Sequence, residues 1–422
     1  MWPACATGEP GNETRGNVQS YEVAIVGGAP AGLSTALFLT DAAPHLKDRI
    51  VVLEKSGYPR EKICAGGIGA RGDNLLRSIG VRVDVPSVDV TTLSMRSAHG
   101  SAVASVPTLG RVVRRAEYDH ALARAAQARG IRIMQNVKVD RLERSRAGYE
   151  LTTSDGDLRA RVVVGADGVT GITRRAVGLR ASRYRAQVIE LDTSPVASDL
   201  PRDTLHFDFF DPSFTGYAWD FPTIVDGEAM VCRGVYHLKT HGETADIQQV
   251  LAERLAERGL DITHYRNKRF AECGFEPHAS YAAPHVVLVG EAAGIDAFSG
   301  EGIAQAIEYG AFAGRYLADK LTGSDFSFAD WRRRFARSAV GVDLANREWW
   351  MQVYFGRARC AIEKHVASQV SYVRGTAKQL TGEQLAATWH FLQAVTAGGR
   401  SYVADEARRA LRTVLQSVSA RA

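Results

Sequence analysis

At 422 residues the chain is long enough for one large α/β domain or two intergrown ones with a sizeable core, and its composition is ordinary for a globular protein. Five cysteines without a C-x-x-C pair argue against a disulfide framework or zinc site and for a reducing, cytoplasmic setting; the histidines show no metal-ligand spacing, so no metal is expected. The net charge of +5 is uneven, because residues 321–422 hold fifteen Lys and Arg against eight Asp and Glu.

The first twenty residues read as a flexible tail, lacking the basic start and apolar stretch of a secretory signal. Tyr21–Gly32, YEVAIVGGAPAG, then reads as a buried strand, a glycine-rich turn and a helix start near Pro30. A second strand, RIVVLEK, closes on Glu54 and Lys55, both candidates for contacting a bound dinucleotide. This is the geometry of a dinucleotide site. Gly27 suits the tight turn, a pyrophosphate can approach the positive end of the helix, and Gly32 lets helix and strand pack closely. Glu54 stands where a carboxylate takes a ribose 2′-OH and repels a 2′-phosphate. The second glycine of the G-x-G-x-x-G pattern is Ala29.

Further along come a glycine-rich loop, SGYPREKICAGGIGARG, the amphipathic DNLLRSIG, and a helix over 116–130. IRIMQNVKVDRLE, YELTTSDG and ARVVVGADG read as strands. Residues 183–280 change to period-two alternation, as in TLHFDFFD and GYAWDFP, which predicts an antiparallel substrate sheet. HVVLVGEAAGIDAFSGEGIAQAIEYG returns to strand, loop and helix, and from residue 327 the chain reads as helical, with a break near GGRS (398–401). The expected fold is therefore α/β: a Rossmann-like nucleotide-binding domain (21–182 and 281–322), an antiparallel β-sheet domain (183–280) and a C-terminal helical region (323–422). WRRRFAR (331–337), near Trp349 and Trp350, reads as a solvated helix face or as a peripheral contact with acidic lipid head groups or a phosphorylated substrate. No nucleic-acid motif accompanies it.

VVLEKSGYPREKICAGG, VRRAEYDHAL, GADGVTGITRRAVGL, GYAWDFP and VLVGEAAGIDAFSGEGIAQAIEYG follow one another in an order that resembles the geranylgeranyl reductase family of flavoproteins. That family lies within the group that includes p-hydroxybenzoate-hydroxylase-type monooxygenases and flavin-dependent halogenases. The likeness covers residues 21–320. It implies FAD as cofactor, with backbone groups of Gly28, Ala29 and Ala31 at the pyrophosphate and Glu54 at the adenosine ribose. Arg115 would contact the ribityl and phosphate portion, and Asp167-Gly168 would lie beside the cofactor. Glu291 stands where the family has aspartate, at the ribityl chain. Gly300, Gly302 and Ile303 would surround the flavin ring, in a loop one residue shorter than usual with Ala297 replacing proline.

The resemblance also places the Cys64 thiol over the flavin face, where it would position an alkene or help deliver a proton; the plain alternative is a buried small side chain. Tyr217, Trp219 and Phe221 share one strand face, as core or as the wall of an apolar substrate site. The implied reaction is reduction of carbon–carbon double bonds in a hydrophobic, isoprenoid-like substrate by hydride from flavin N5. The alternative is a monooxygenase that hydroxylates or epoxidises an apolar intermediate. NAD(P)H, a partner reductase or another electron carrier would supply the electrons.

Overall fold

The computed structural model describes residues 18–239, 245–356, 359–360 and 362–364. The chain begins with a βαβ unit: β1 (Gln19–Val26), α1 (Pro30–Ala42) and β2 (Ile50–Glu54). Next come β3 (Gly67–Gly69), α2 (Ala70–Ser78), β4 (Ser87–Ser97), β5 (Gly100–Val113), α3 (Arg115–Ala128) and β6 (Arg132–Gln135). β7 (Val139–Ser145), β8 (Gly148–Thr153), β9 (Gly156–Gly165) and the short α4 (Thr173–Ala176) follow. Then run β10 (Arg185–Thr193), β11 (Thr204–Phe209), β12 (Gly216–Val225), β13 (Glu228–Lys239), α5 (Ile247–Ala256) and β14 (Lys268–Cys273). The described chain closes with β15 (Ala282–Ala283), β16 (Val286–Leu288), α6 (Ile303–Lys320), α7 (Trp331–Phe335) and α8 (Ala339–Tyr354).

Two sheets result. The first runs β15-β16-β9-β1-β2-β6, with β7 and β8 attached beside β9. Its central pairs are parallel, with Val23 opposite Ile50 and Val162. Strands buried on both faces need continuous apolar runs, which is why VAIV, IVVL and VVV sit here. Helices α1 and α6 pack so closely that a Cβ on Gly310 or Gly314 would come within 2.5 Å of Ser34 or Leu39.

The second sheet runs β14-β10-β13-β12-β11-β4-β5-β3 and is antiparallel except where β11 lies parallel to β4. It takes in residues 67–69 and 87–113, which lie within the span expected for the nucleotide-binding domain. The arm formed by β4 and β5 pairs with β11, whose backbone groups would otherwise form an open edge, and sequence proximity to β2 gives no hint of that. β1 also starts two residues inside the expected tail. The rest of that tail, and the GGRS break, lie outside the described residues.

Candidate active site

The site is built where the carboxyl ends of β1, β2 and β9 meet the face of the second sheet. Gly27 ends β1 with φ +108°, and a Cβ there would stand 2.3 Å from the Ala166 carbonyl oxygen. Only glycine takes that conformation so close to a neighbouring backbone. On Gly32 a Cβ would lie 2.0 Å from the Gly27 carbonyl oxygen. Ala29 replaces the second glycine at no conformational cost, because its backbone is extended (φ −94°, ψ 179°). It is the N-cap of α1 and makes no side-chain cap, so the first amides of the helix are left for an anion.

Glu54 is buried and accepts hydrogen bonds from the Gly28 amide (3.0 Å) and the Ser56 amide (3.1 Å). Arg60 pairs with Glu54 (3.2 Å) and also with Asp119 (3.1 Å). Asp119 in turn holds Arg115 through two bonds of 2.8 and 2.9 Å, one turn along α3. The two expected cofactor contacts, Glu54 and Arg115, are thus tied together by Arg60 and Asp119, neither of which the motifs identified as a link. Tyr58 donates a hydrogen bond to the Gly28 carbonyl. Lys55 is exposed beyond β2 and has no partner among the described residues.

Asp167 caps α4 by accepting from the Thr173 amide and hydroxyl, both at 2.8 Å. Its other oxygen, Oδ1, is buried without a partner. Gly168 follows with φ +75°, and a Cβ on it would lie 3.6 Å from Glu291 Oε2. Asp167, Gly168 and Glu291 are therefore brought together. The longer side chain of Glu291 reaches Lys62, at 3.5 Å.

Helix α6 begins after Gly302 without a side-chain cap, leaving amides of Ile303 and its neighbours unclaimed at a second helix N-terminus. The loop before it is clamped from the C-terminal helix. Arg347 on α8 contacts Asp296 (2.7 Å), Glu301 (2.9 Å) and Asp343 (2.9 Å). Sequence reasoning passed over Arg347 and Asp296 because nothing local distinguishes them.

The aromatic strip spans this loop and the Cys64 turn. Tyr217 donates to the Ser299 carbonyl, and a Cβ on Gly300 would lie 3.1 Å from its hydroxyl. Trp219 lies across Gly234, while a Cβ on Gly67 would meet Phe221 at 3.5 Å. All three rings are buried in a cluster with Phe207 and Tyr236. Asp220, on the opposite face, pairs with Arg233 and Arg258.

Cys64 is half-buried, with its thiol accepting from the Gly66 amide at 3.4 Å. Burial pushes the thiol up, and the nearby Arg115 charge opposes that rise. The Cys64 amide donates to Glu190 Oε1 at 3.1 Å. Glu190 on β10 and Glu272 on β14 are buried acids that the sequence reading did not single out. No sequence signal marks either, since Asp192 shares the strand face of Glu190 and Lys268 that of Glu272. Burial and the neighbouring Asp192 push Glu190 from 4.5 up to about 7. Burial and Glu291 push Glu272 well above the usual carboxylate range.

These groups fit FAD: two uncapped helix N-termini, a buried ribose-type carboxylate, and the unpartnered Asp167 Oδ1 along the path between them. Fold and site together define an FAD-dependent flavoprotein. Residues 20–324 match the FAD binding domain family, to which the chain belongs. Within it the chain is an oxidoreductase of the geranylgeranyl reductase type, with FAD as cofactor.

Digeranylgeranylglycerophospholipid reductase 2 of Methanothermobacter thermautotrophicus is 30% identical over 319 residues, covering 71% of this chain and 78% of that protein. Menaquinone reductase of Mycobacterium tuberculosis is 28% identical over 338 residues, covering 73% and 78%. Among solved structures, a geranylgeranyl bacteriochlorophyll reductase-like protein from Thermoplasma acidophilum superposes with a TM-score of 0.64 at 18% identity, covering 90% of this chain and 92% of that one. That last likeness speaks for the fold alone. No helix among the described residues is long and apolar enough to cross a membrane.

Proposed function

We propose that this protein reduces carbon–carbon double bonds of a long, hydrophobic, isoprenoid-like substrate. The observation that carries this reading is the aromatic strip Tyr217–Trp219–Phe221, which links the loop before α6 to the Cys64 turn. The names of the two relatives, a geranylgeranyl lipid reductase and a menaquinone reductase, support an apolar substrate of this kind.

When bound, reduced FAD supplies hydride at N5. The protein's part is to hold and enclose. Gly27, Gly28, Ala29, Ala31 and the start of α1 would take the pyrophosphate, with Glu54 at the ribose and Arg115, Asp167, Gly168 and Glu291 along the chain. Gly300, Gly302 and Ile303 would flank the ring, with the amides at the start of α6 stabilising negative charge there. Tyr217, Trp219 and Phe221 line the substrate side and exclude water, which fixes the alkene in one orientation. Cys64 borders the same space.

The test is anaerobic. Holoprotein reduced chemically is mixed with a geranylgeranylated phospholipid in detergent micelles. Return of the oxidised-flavin absorbance, with product two mass units heavier per bond, is the expected result. Absorbance that returns only when oxygen enters, with an oxygen atom gained by the product, would replace this reading with the monooxygenase. Electrons from NAD(P)H or from a partner reductase are distinguished by adding each in turn.

A further inference from the structure

Glu190 has no counterpart among the site motifs, yet it occupies a distinctive position. It is 2% exposed on the face of β10 that looks toward the aromatic strip. Its Oε1 accepts from the Cys64 amide, and its Oε2 is buried with no partner among the described residues. Glu190 stands opposite Gly234, which stands opposite Trp219 on the next strand. The absence of a side chain at Gly234 lets the indole lie across it toward Glu190, since a Cβ there would come 2.1 Å from the Trp219 ring. The indole is close enough to bond the Cys232 thiol on β13. An unsatisfied carboxylate oxygen thus stands on this face beneath the Cys64 turn. Such groups are costly unless something bound uses them.

We infer that Glu190, rather than the Cys64 thiol, is the acid that supplies the proton for double-bond reduction, and that Cys64 positions it. This rests on the alkene-reductase reading above. The alkene π pair takes the proton from Glu190 Oε2 at one carbon, and the other carbon takes the hydride furnished by reduced FAD. Glu190 is left as a carboxylate. It recovers its proton from water before the next turnover.

The surroundings suit the role. Asp192 on the same strand raises the acid, while Lys268 on β14, the Cys64 amide and Arg114 lower it. Cys232 on β13, and Glu272 across the Cys64 turn, complete the titratable groups around it. The balance leaves Glu190 protonated up to about pH 7, where a general acid works best. The Cys64 thiol is pushed up, which makes it the poorer proton donor at that pH.

The experiment uses holoprotein of wild type, Glu190→Gln, Glu190→Asp and Cys64→Ala. Infrared difference titration reads the protonated carboxylic acid directly, and single-turnover flavin reoxidation reads the reaction across pH. Expected are an acid signal with a midpoint near pH 7 from which Glu190→Gln removes one component, leaving that of Glu308, and a wild-type rate that falls above that pH. Glu190→Gln should slow the step by roughly 100-fold or more and lose the pH break. Glu190→Asp should restore part of the rate with the break, and Cys64→Ala should keep the break. A wild-type protein active on alkenes whose Glu190→Gln form keeps its rate and pH break would overturn this role alone. A wild-type protein that reduces no alkene would overturn the reductase reading and this role with it.

Discussion

The two ends of the site treat charge in opposite ways. At the nucleotide end, Glu54, Arg60, Asp119 and Arg115 form one chain of contacts between 2.8 and 3.2 Å. At the substrate end, Glu190 and Glu272 are buried, each with an oxygen that meets no partner among the described residues. Matched charges fix a geometry, and unmatched buried acids hold protons instead. A site that must grip a permanent cofactor and deliver a transient proton needs both.

The comparison breaks most severely at the turn that both ends depend on. Gly27→Val forces a β-branched residue into φ +108° against the Ala166 carbonyl. FAD affinity should fall by on the order of 100-fold, read by flavin-fluorescence titration of the apoprotein. Unchanged affinity would mean that this turn does not hold the cofactor.

At the paired end, Asp119→Asn removes the charge shared by Arg60 and Arg115. Leaving the buried Arg115 uncompensated should cost about 3–5 kcal/mol in urea unfolding of the apoprotein. A loss below about 1 kcal/mol would show that the network is solvated rather than structural.

The unpaired end should announce itself in pH dependence. Glu190 and Glu308 are each raised from 4.5 to about 7, chiefly by burial. A raised carboxyl binds its proton more tightly in the folded state. Its contribution to stability is therefore complete below about pH 4.5 and is lost as pH rises through about 7. Stability should decline by a few kcal/mol between pH 5 and 8, and Glu190→Gln should flatten that slope. Identical slopes for the two proteins would contradict a raised Glu190. The smallest effect belongs to Lys55→Ala. Its side chain is exposed and unpartnered, so FAD affinity should stay within about 2-fold and Tm within about 1 °C.

The sequence by itself determined the nucleotide end. Its signals are local: the glycine turn, the uncapped helix start and the acid closing β2 lie within some thirty residues, and backbone sterics there leave few alternatives. Resemblance extended this to Asp167, Glu291 and the loop before α6. Tertiary structure alone decided the rest, because those contacts join distant segments. Cys64 meets Glu190 across 126 positions, and Arg347 meets Asp296 across 51. Residues 87–113 join the second sheet through hydrogen bonds to β11, more than a hundred residues on. An acid in a strand looks the same in sequence whether it faces water or a cofactor. Only folding, by removing water from one side of β10, makes Glu190 a holder of protons.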